Sequence, residues 1–600
     1  MSRFMGWAAA VAILIAAAVS CSKKSSSDDG PAPAPPSPPP APPPPLVIDL
    51  DVDTNRNGVV DATTDESGEN GWTTSLGAVF YFNIDDDDNN NAEDHLDTAV
   101  NGASDANDLA RMVIRQMPSL PTDASLTVTV SATAQGRVRV FRNDAGSWSQ
   151  AYAAGASFLV PAALAISGDV VFGVEAREKV SPVWDGRVTF VLEARDSGGT
   201  LLGTDTVLMR SAPWLMCTNL WTLEDLCVVT TAAPYANSAL RSALSSTCSA
   251  AGVTYVEIPG GSYSQDRWVQ DSHETGAVYL PAAGSPRRRV DQVLQLARWR
   301  EVDAWCQSVL WGPDFDFVLR FSNNTSSMNY GGNLEVSGPL ASYPWGRIII
   351  GGGTAGPIGG PPATRRMIQA YRDYLTALDI QGPWLEISTE WLTVGHVDEI
   401  MQVVPAPANA RGWAILIASP DLARANLQTV ANNGGGSLTV FTGRTTSPSA
   451  GWQTTVGAIL ADNVLMTYND AVQTRIDGVR SLLQTQLGLS ASEIIDVPVL
   501  FEDVGQGYGL AYNPGVVNLV VIPSTNGTTY LVIPDPEGPD QPGDVWQAST
   551  TAAIQPLFTA GSPVSIVFAD VFNSYHILAG EAHCGTNFVR TPPASDWWDD

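Results

Sequence analysis

The sequence predicts a β-sandwich of immunoglobulin-like type followed by a larger α/β domain, the pair set behind an export segment and a stiff spacer. Three observations lead there. Periodicity changes character near residue 212, residues 22–45 are almost wholly Ser, Asp, Pro and Ala, and the N-terminal apolar stretch is too short for a comfortable bilayer span.

Residues 1–21 have the form of a lipoprotein signal. Arg3 precedes an apolar run from Trp7 to Val19, which ends in Ala18-Val19-Ser20-Cys21. Small residues before a cysteine fit a lipobox, so Cys21 is expected to be acylated and to anchor an exported chain to the cell membrane. Ser22, not Asp, after Cys21 favours the outer membrane or cell surface. An ordinary signal peptide cut nearby is the alternative. Residues 22–45 cannot bury apolar surface and are expected to form an extended polyproline spacer.

From 46 to 211 the text is strand-like. Leu126–Val130, Arg137–Phe141, Val170–Ala176 and Arg187–Ala194 alternate apolar and polar residues between Gly/Asp/Ser turns, the pattern of a sandwich. From 212 to 600, short apolar strands such as Ile348–Ile350 and Val516–Ile522 mix with amphipathic helices. Met367, Tyr371, Leu375 and Leu378 share one helical face. No repeat array of short period is visible.

Charge narrows the partners. With 62 acidic and 32 basic residues the net charge is −30, which disfavours nucleic acid and favours metal ions or arginine- and lysine-rich polypeptides. With Cys21 acylated, Cys217, Cys227, Cys248 and Cys306 form an even set in an oxidising compartment, their pairing left open. Cys584 is then the odd thiol, inert or reactive.

Only five histidines are present. His396 lies in the segment from Trp391 to Glu399, and His583 directly precedes Cys584. A Cys, a His and carboxylates far apart in sequence are what a covalent cysteine hydrolase requires. Four motifs make this specific: Asp266-Arg267-Trp268-Val269-Gln270-Asp271, Gly332-Asn333-Leu334-Glu335-Val336-Ser337, Val394-Gly395-His396-Val397-Asp398-Glu399 and Gly580-Glu581-Ala582-His583-Cys584-Gly585-Thr586-Asn587. In wording, order and spacing they resemble the signature motifs of the animal protein-arginine deiminases.

The resemblance runs from about Leu46 to the C-terminus. It implies an immunoglobulin-like calcium-binding domain over 46–211 and an α/β-propeller (pentein) catalytic domain over 212–600, without the family's further N-terminal domain. It implies that Asp271 and Asp398 grip a guanidinium, that Cys584 attacks its central carbon, and that His396 serves the leaving ammonia and then water. The chemistry suits the residue types, since a planar cation with paired N–H groups fits carboxylates bidentately. Trp268 matches a residue lying along the substrate's aliphatic chain. Arg289 matches one that bonds the substrate backbone, which favours arginine within proteins or peptides.

Calcium ions are the implied cofactor, a cation that takes six to eight oxygen ligands. Gln270, Glu274 and Glu335, with the carbonyls of Gly331 and Leu334, match a site beside the cleft. Asn83, Asp85, Asp87, Asp105, Asp108 and Asp314 match a second cluster. Asp53, Asn55, Asn57 and Asp61 resemble a third, in the rhythm of an EF-hand loop. The family's other site near the active centre reads Ser272, Gly284 and Arg288 here, so it is expected to be lost, with Pro281–Val290 held by protein contacts and Arg288 paired to a carboxylate. Leu578-Ala579 also replaces more polar family residues. The competing readings are a deiminase of free arginine or a small guanidine, and a catalytically dead, calcium-stabilised surface-binding lipoprotein.

Overall fold

The computed structural model describes residues 46–598 except 97, 448–449 and 540–542; the signal segment, Cys21 and the spacer lie outside the described residues. The predicted alternation is realised in the first part of the chain. Arg187–Arg195 buries every second side chain, and Val170–Ala176 forms a strand with the predicted bounds. Arg187–Arg195 pairs antiparallel with Leu201–Ser211 and with Ser125–Val130. Val170–Ala176 pairs antiparallel with Ala110–Ile114 and Val138–Asp144. Ala78–Phe82 runs parallel to both Leu201–Ser211 and Val170–Ala176 and so joins the two groups of strands. Their apolar faces share one core that includes Val128, Val140, Phe172, Trp184 and Phe190. Each such side chain contributes roughly 1.5–3 kcal/mol by leaving water.

Beyond residue 212 one plan recurs five times among the described residues: an antiparallel strand pair, then a helical connection, then a third strand parallel to the second. The first unit has Thr222–Val229, the helix Ser238–Ala251 and Thr254–Ile258, and takes its antiparallel partner, Thr586–Thr591, from the far end of the chain. The second has His273–Ala282, Ser285–Gln295, the helix Asp303–Val309 and Phe315–Val318. The third has Leu334–Val336, Ile348–Gly353, the helix Gln369–Ala377 and Leu385–Ser388. In the fourth, Met401–Ala406 and Gly412–Ser419 precede a long connection, which contains helices Pro420–Val430 and Asn463–Leu487, and then Ile494–Pro498. The fifth has Val520–Pro523, Thr529–Pro534, the helix Val545–Ile554 and Val564–Ala569.

The helix ends follow from side-chain chemistry. Ser419 Oγ accepts from the Leu422 N–H with Pro420 at the first position, and Asp544 caps the fifth unit's helix in the same way. Gly252, at φ 72°, ends Ser238–Ala251 in a left-handed turn. The predicted apolar face is buried at Met367, Tyr371, Leu375 and Leu378, although the helix itself spans only Gln369–Ala377.

Two expectations need correction. The strand read over Val516–Ile522 begins only at Val520, because Asn518 is drawn into side-chain bonds with the Asp398 and Cys584 segments rather than into a ladder. The five cysteines among the described residues are all free thiols. Cys227, Cys248 and Cys306 are buried and pack as small apolar side chains; Cys306 donates to the Asp303 carbonyl.

Candidate active site

Four short turns carry the chemistry, each at the end of a strand or between units. Asp271 sits in the turn Gln270–Ser272 that leads into His273–Ala282, and Cys584 in the turn His583–Gly585 that leads into Thr586–Thr591. His396 and Asp398 lie just before Met401–Ala406. Gly332 forms the wall opposite them, where a Cβ would stand 2.5 Å from His396 Nδ1 and 2.9 Å from Asp398 Oδ2. A side chain there would fill the site.

All four side chains are buried, and their free atoms converge. Asp271 Oδ1 lies 3.8 Å from His396 Nδ1, and Asp398 Oδ1 lies 3.9 Å from the same nitrogen. Cys584 Sγ is 3.6 Å from Asp398 Oδ2. His396 Nε2 is 2.9 Å from the Ser327 carbonyl. A carbonyl can only accept, so Nε2 carries a proton and Nδ1 is the nitrogen that faces the site. Asp271 Oδ1, Asp398 Oδ1 and His396 Nδ1 are all buried without a hydrogen-bond partner. Unsatisfied buried polar atoms are costly, so three on one small space mark where a ligand with N–H donors belongs.

The other oxygen of each carboxylate faces a positioned nitrogen. Arg298, itself 1% exposed, is fixed by Asp266 and Asp303 and places its Nε 4.0 Å from Asp271 Oδ2. That explains why Asp266 belongs to the first motif. His583 Nδ1 holds Asp398 Oδ2 at 2.9 Å. Glu399 accepts from the backbone N–H groups of Gly395 and His396 and so fixes the histidine loop. Burial, then Asp398 and Asp271, pushes the Cys584 thiol well above its ordinary range. Burial likewise raises Asp271, opposed by His396 and Arg298. The protein's own groups therefore favour a neutral thiol.

Trp268 packs edge-on against Tyr575 at 5.6 Å and lies directly under Gly580, where a Cβ would come within 2.3 Å of its ring. Arg289 is engaged elsewhere: its guanidinium is bound by Glu224 and Asp291 and by the Arg590 carbonyl. Reaching a substrate would require it to leave that pair.

The residues matched to calcium sites fall into three states. Gln270 Nε2 donates to Glu274 Oε1 at 2.7 Å while its Oε1 has no partner, and Glu335 is held by Asn219. The Gly331 backbone abuts the Gln270 carbonyl and Glu274 Oε1, and its carbonyl accepts from the Leu334 N–H. Burial, then the neighbouring Glu335, pushes Glu274 well up; burial pushes Glu335 up to about 7. Two carboxylates buried side by side fit an intervening cation.

In the second cluster, oxygens of Asp85, Asp87 and Asp108 lie within 4.8 Å of one another, and Asp85 Oδ1, both Asp87 oxygens, Asp108 Oδ2 and Asn83 Oδ1 are buried without partners. Asn83 Nδ2 donates to Asp105 and Glu175. Arg288 enters this cluster, pairing with Asp108 and with Asp314. In the third loop the side chains serve their own backbone. Asp53 accepts from the Asn57 and Gly58 N–H groups, Asn55 Oδ1 accepts from Asn57, Asn57 Oδ1 accepts from Val59, and Asp61 accepts from Thr63 and Thr64.

At the positions expected to have lost a metal, Ser272 Oγ bonds the Val269 carbonyl and His273, and Gly284 (φ 73°) turns a hairpin in which Leu280 faces Arg288. Pro281–Val290 is thus ordered by strand pairing, and Arg288 is paired to the carboxylates of Asp108 and Asp314. Four participants were not foreseen: Arg298, His583, Glu399 and Asn518. His583 had a signal in its place beside Cys584. Asn518 had none, since it interrupts the apolar run Val516–Ile522, 66 residues before the nucleophile.

Comparison with known proteins agrees with this geometry. The family model "Protein-arginine deiminase (PAD)" matches residues 201–599, and that of the family's middle domain matches residues 46–166. The chain is 31% identical to human protein-arginine deiminase type-3 over 548 residues, covering 88% of this chain and 78% of the relative. It is 29% identical to human type-4 over 570 residues, covering 91% and 81%. Among solved structures, agmatine deiminase of Enterococcus faecalis covers 63% of this chain and 95% of its own, at 12% identity and a TM-score of 0.33. Two matched domains in order, with a buried Cys, His and carboxylate pair at the motifs that carry the likeness, lead to one conclusion: the chain belongs to the protein-arginine deiminase family.

Proposed function

We propose that this protein hydrolyses the guanidinium of peptidyl arginine to citrulline and ammonia through a covalent adduct on Cys584. The observation that carries this reading is the set of three unpartnered buried atoms that converge in the site with Cys584: Asp271 Oδ1, Asp398 Oδ1 and His396 Nδ1. A guanidinium supplies N–H donors to the two carboxylate oxygens, and its charge favours the thiolate that they oppose, the thiol proton being carried on His396 Nδ1 as an imidazolium. The sulfur then bonds to the central carbon, and the π electrons move onto nitrogen. The C–N bond breaks as His396 gives a proton from Nδ1 and ammonia leaves, which yields a thiouronium. Water adds to the same carbon and returns a proton to Nδ1. The C–S bond breaks as the added oxygen gives its remaining proton to solvent, matching the proton that the released ammonia takes up, which restores the thiolate and the imidazolium and frees citrulline.

The five ββαβ units, within a family match spanning 201–599, support an α/β-propeller of the pentein kind for the catalytic part. Ten strands around one core support an immunoglobulin-like sandwich for residues 46–211.

The residues beside the cleft fit a calcium ion, held by Gln270, Glu274, Glu335 and the carbonyls of Gly331 and Leu334. A bound divalent cation supplies positive charge that relieves two crowded carboxylates. The chain's own part is to keep Gln270 adjacent to Asp271, so that order at the one is order at the other. Asp85, Asp87 and Asp108 fit a second ion. An assay for citrulline and ammonia on an arginyl peptide, beside free arginine and with or without a chelator, tests the activity, the substrate scale and the cofactor together. Chelation is expected to cut the rate at least tenfold, and Glu335→Gln to raise the calcium concentration needed for half activation while shifting the Tm little. Full activity in the chelated protein would remove calcium from this reading.

Export and lipid anchoring rest on Arg3, the apolar run and Cys21. No helix among the described residues is long and apolar enough to cross a membrane. Cys21→Ser is expected to move the protein from the membrane to the soluble fraction in cell fractionation; a protein found in the membrane regardless would exclude the lipid anchor.

A further inference from the structure

We infer that Asn518 is a further catalytic residue of this reaction: its side-chain amide donates a hydrogen bond to the sulfur of Cys584 and stabilises the thiolate each time it forms. The inference rests on Cys584 being the nucleophile.

Asn518 is 2% exposed and makes four side-chain bonds, all to the catalytic turns. Oδ1 accepts from the backbone N–H groups of His583 at 3.0 Å and Cys584 at 3.3 Å. Nδ2 donates to the Asp398 carbonyl at 3.2 Å and to Cys584 Sγ at 3.3 Å. The partners fix which end of the amide is which. Reversed, it would set its oxygen against a carbonyl and its NH2 against two N–H groups, so the nitrogen must face the sulfur.

The sulfur's other side-chain contact is Asp398 Oδ2 at 3.6 Å, an acceptor that suits a thiol and repels a thiolate. Loss of the thiol proton therefore turns the Asp398 contact unfavourable and the Asn518 contact charge-assisted. Donors aimed at developing charge in a buried site act most strongly in the charged state and need no reorganisation to do so. The demand arises twice per turnover, before the C–S bond forms and after it breaks. Asn518 also joins the two halves of the site, because the same amide ties the Asp398 backbone to the Cys584 turn.

The test follows alkylation of Cys584 by neutral iodoacetamide across pH, which needs no substrate. Asn518→Asp keeps an oxygen for the two backbone donors but removes the N–H; Asn518→Ser shortens the side chain without adding charge. Both variants are expected to move the alkylation midpoint up by about one pH unit, a tenfold loss of thiolate at a given pH. Both are expected to lower kcat on an arginyl peptide on the order of 10²-fold, with KM less affected. An unchanged midpoint in whichever variant folds, with kcat falling only as the folded fraction falls, would make Asn518 a structural clamp and overturn the proposal. A wild type that is alkylated at Cys584 but releases no citrulline would instead refute the deiminase reading and leave the pairing of Asn518 with the sulfur standing.

Discussion

Cys584→Ala is expected to abolish citrulline formation, with a loss on the order of 10⁵-fold or more, as for other enzymes deprived of a covalent nucleophile. Stability should change little. The side chain is small, and the turn that carries it is held by Asn518 Oδ1 through backbone N–H groups that alanine retains. Citrulline assays and thermal unfolding on the same preparation check both halves. Residual turnover within tenfold of wild type would place the chemistry on another residue. A haloacetamidine that mimics arginine should label Cys584 alone, because the remaining described thiols lie away from paired carboxylates. Burial raises Cys217, Cys227, Cys248 and Cys306 as it raises Cys584, and only Cys584 stands beside a carboxylate pair that can bind the cationic amidine and so favour its thiolate. Equal labelling of Cys306 would contradict the assignment.

Asp398→Asn should split two properties that usually fall together. Removing one of the carboxylates that grip the guanidinium is expected to lower kcat/KM for an arginyl peptide on the order of 10³-fold, because a buried cation loses its charged partner. The same change should make the thiol more acidic. After burial, Asp398 is the largest contributor raising Cys584, so neutralising it shifts the alkylation midpoint downward. The mutant enzyme would thus react faster with neutral iodoacetamide and more slowly with its cationic substrate. A midpoint that stays put or rises would show that Asp398 does not govern the sulfur.

What was legible in the sequence divides by physical cause. Cys584, His396, Asp271 and Asp398 were readable because each lies in a short turn whose neighbours are also constrained: Gly332 by the space it must leave, Asp266 by Arg298, Gly580 by Trp268. Such local constraint fixes words. The strands of the first domain were readable because half-buried strands alternate. The five repeated units were not, because the repeat lies in backbone pairing, while connections range from a helix of seven residues to a segment with one of 25. Pairings across the chain were equally silent. Nothing local tells that Arg288 meets Asp108, 180 positions away, or that Asn518 meets Cys584.

The Arg288 contact changes what kind of quantity controls the junction it spans. Asp108 ends a short helix in the first part of the chain, and Asp314 precedes the third strand of the second unit. A dissolved ion bridging them would obey mass action, with occupancy rising and falling with its concentration in the medium. A guanidinium attached to the backbone has an effective concentration set by chain geometry, and neither dilution nor a chelator can withdraw it. Its strand, Ser285–Gln295, also carries Arg289. The link between these two segments is therefore assembled once, at folding, and does not vary with the ions of the medium.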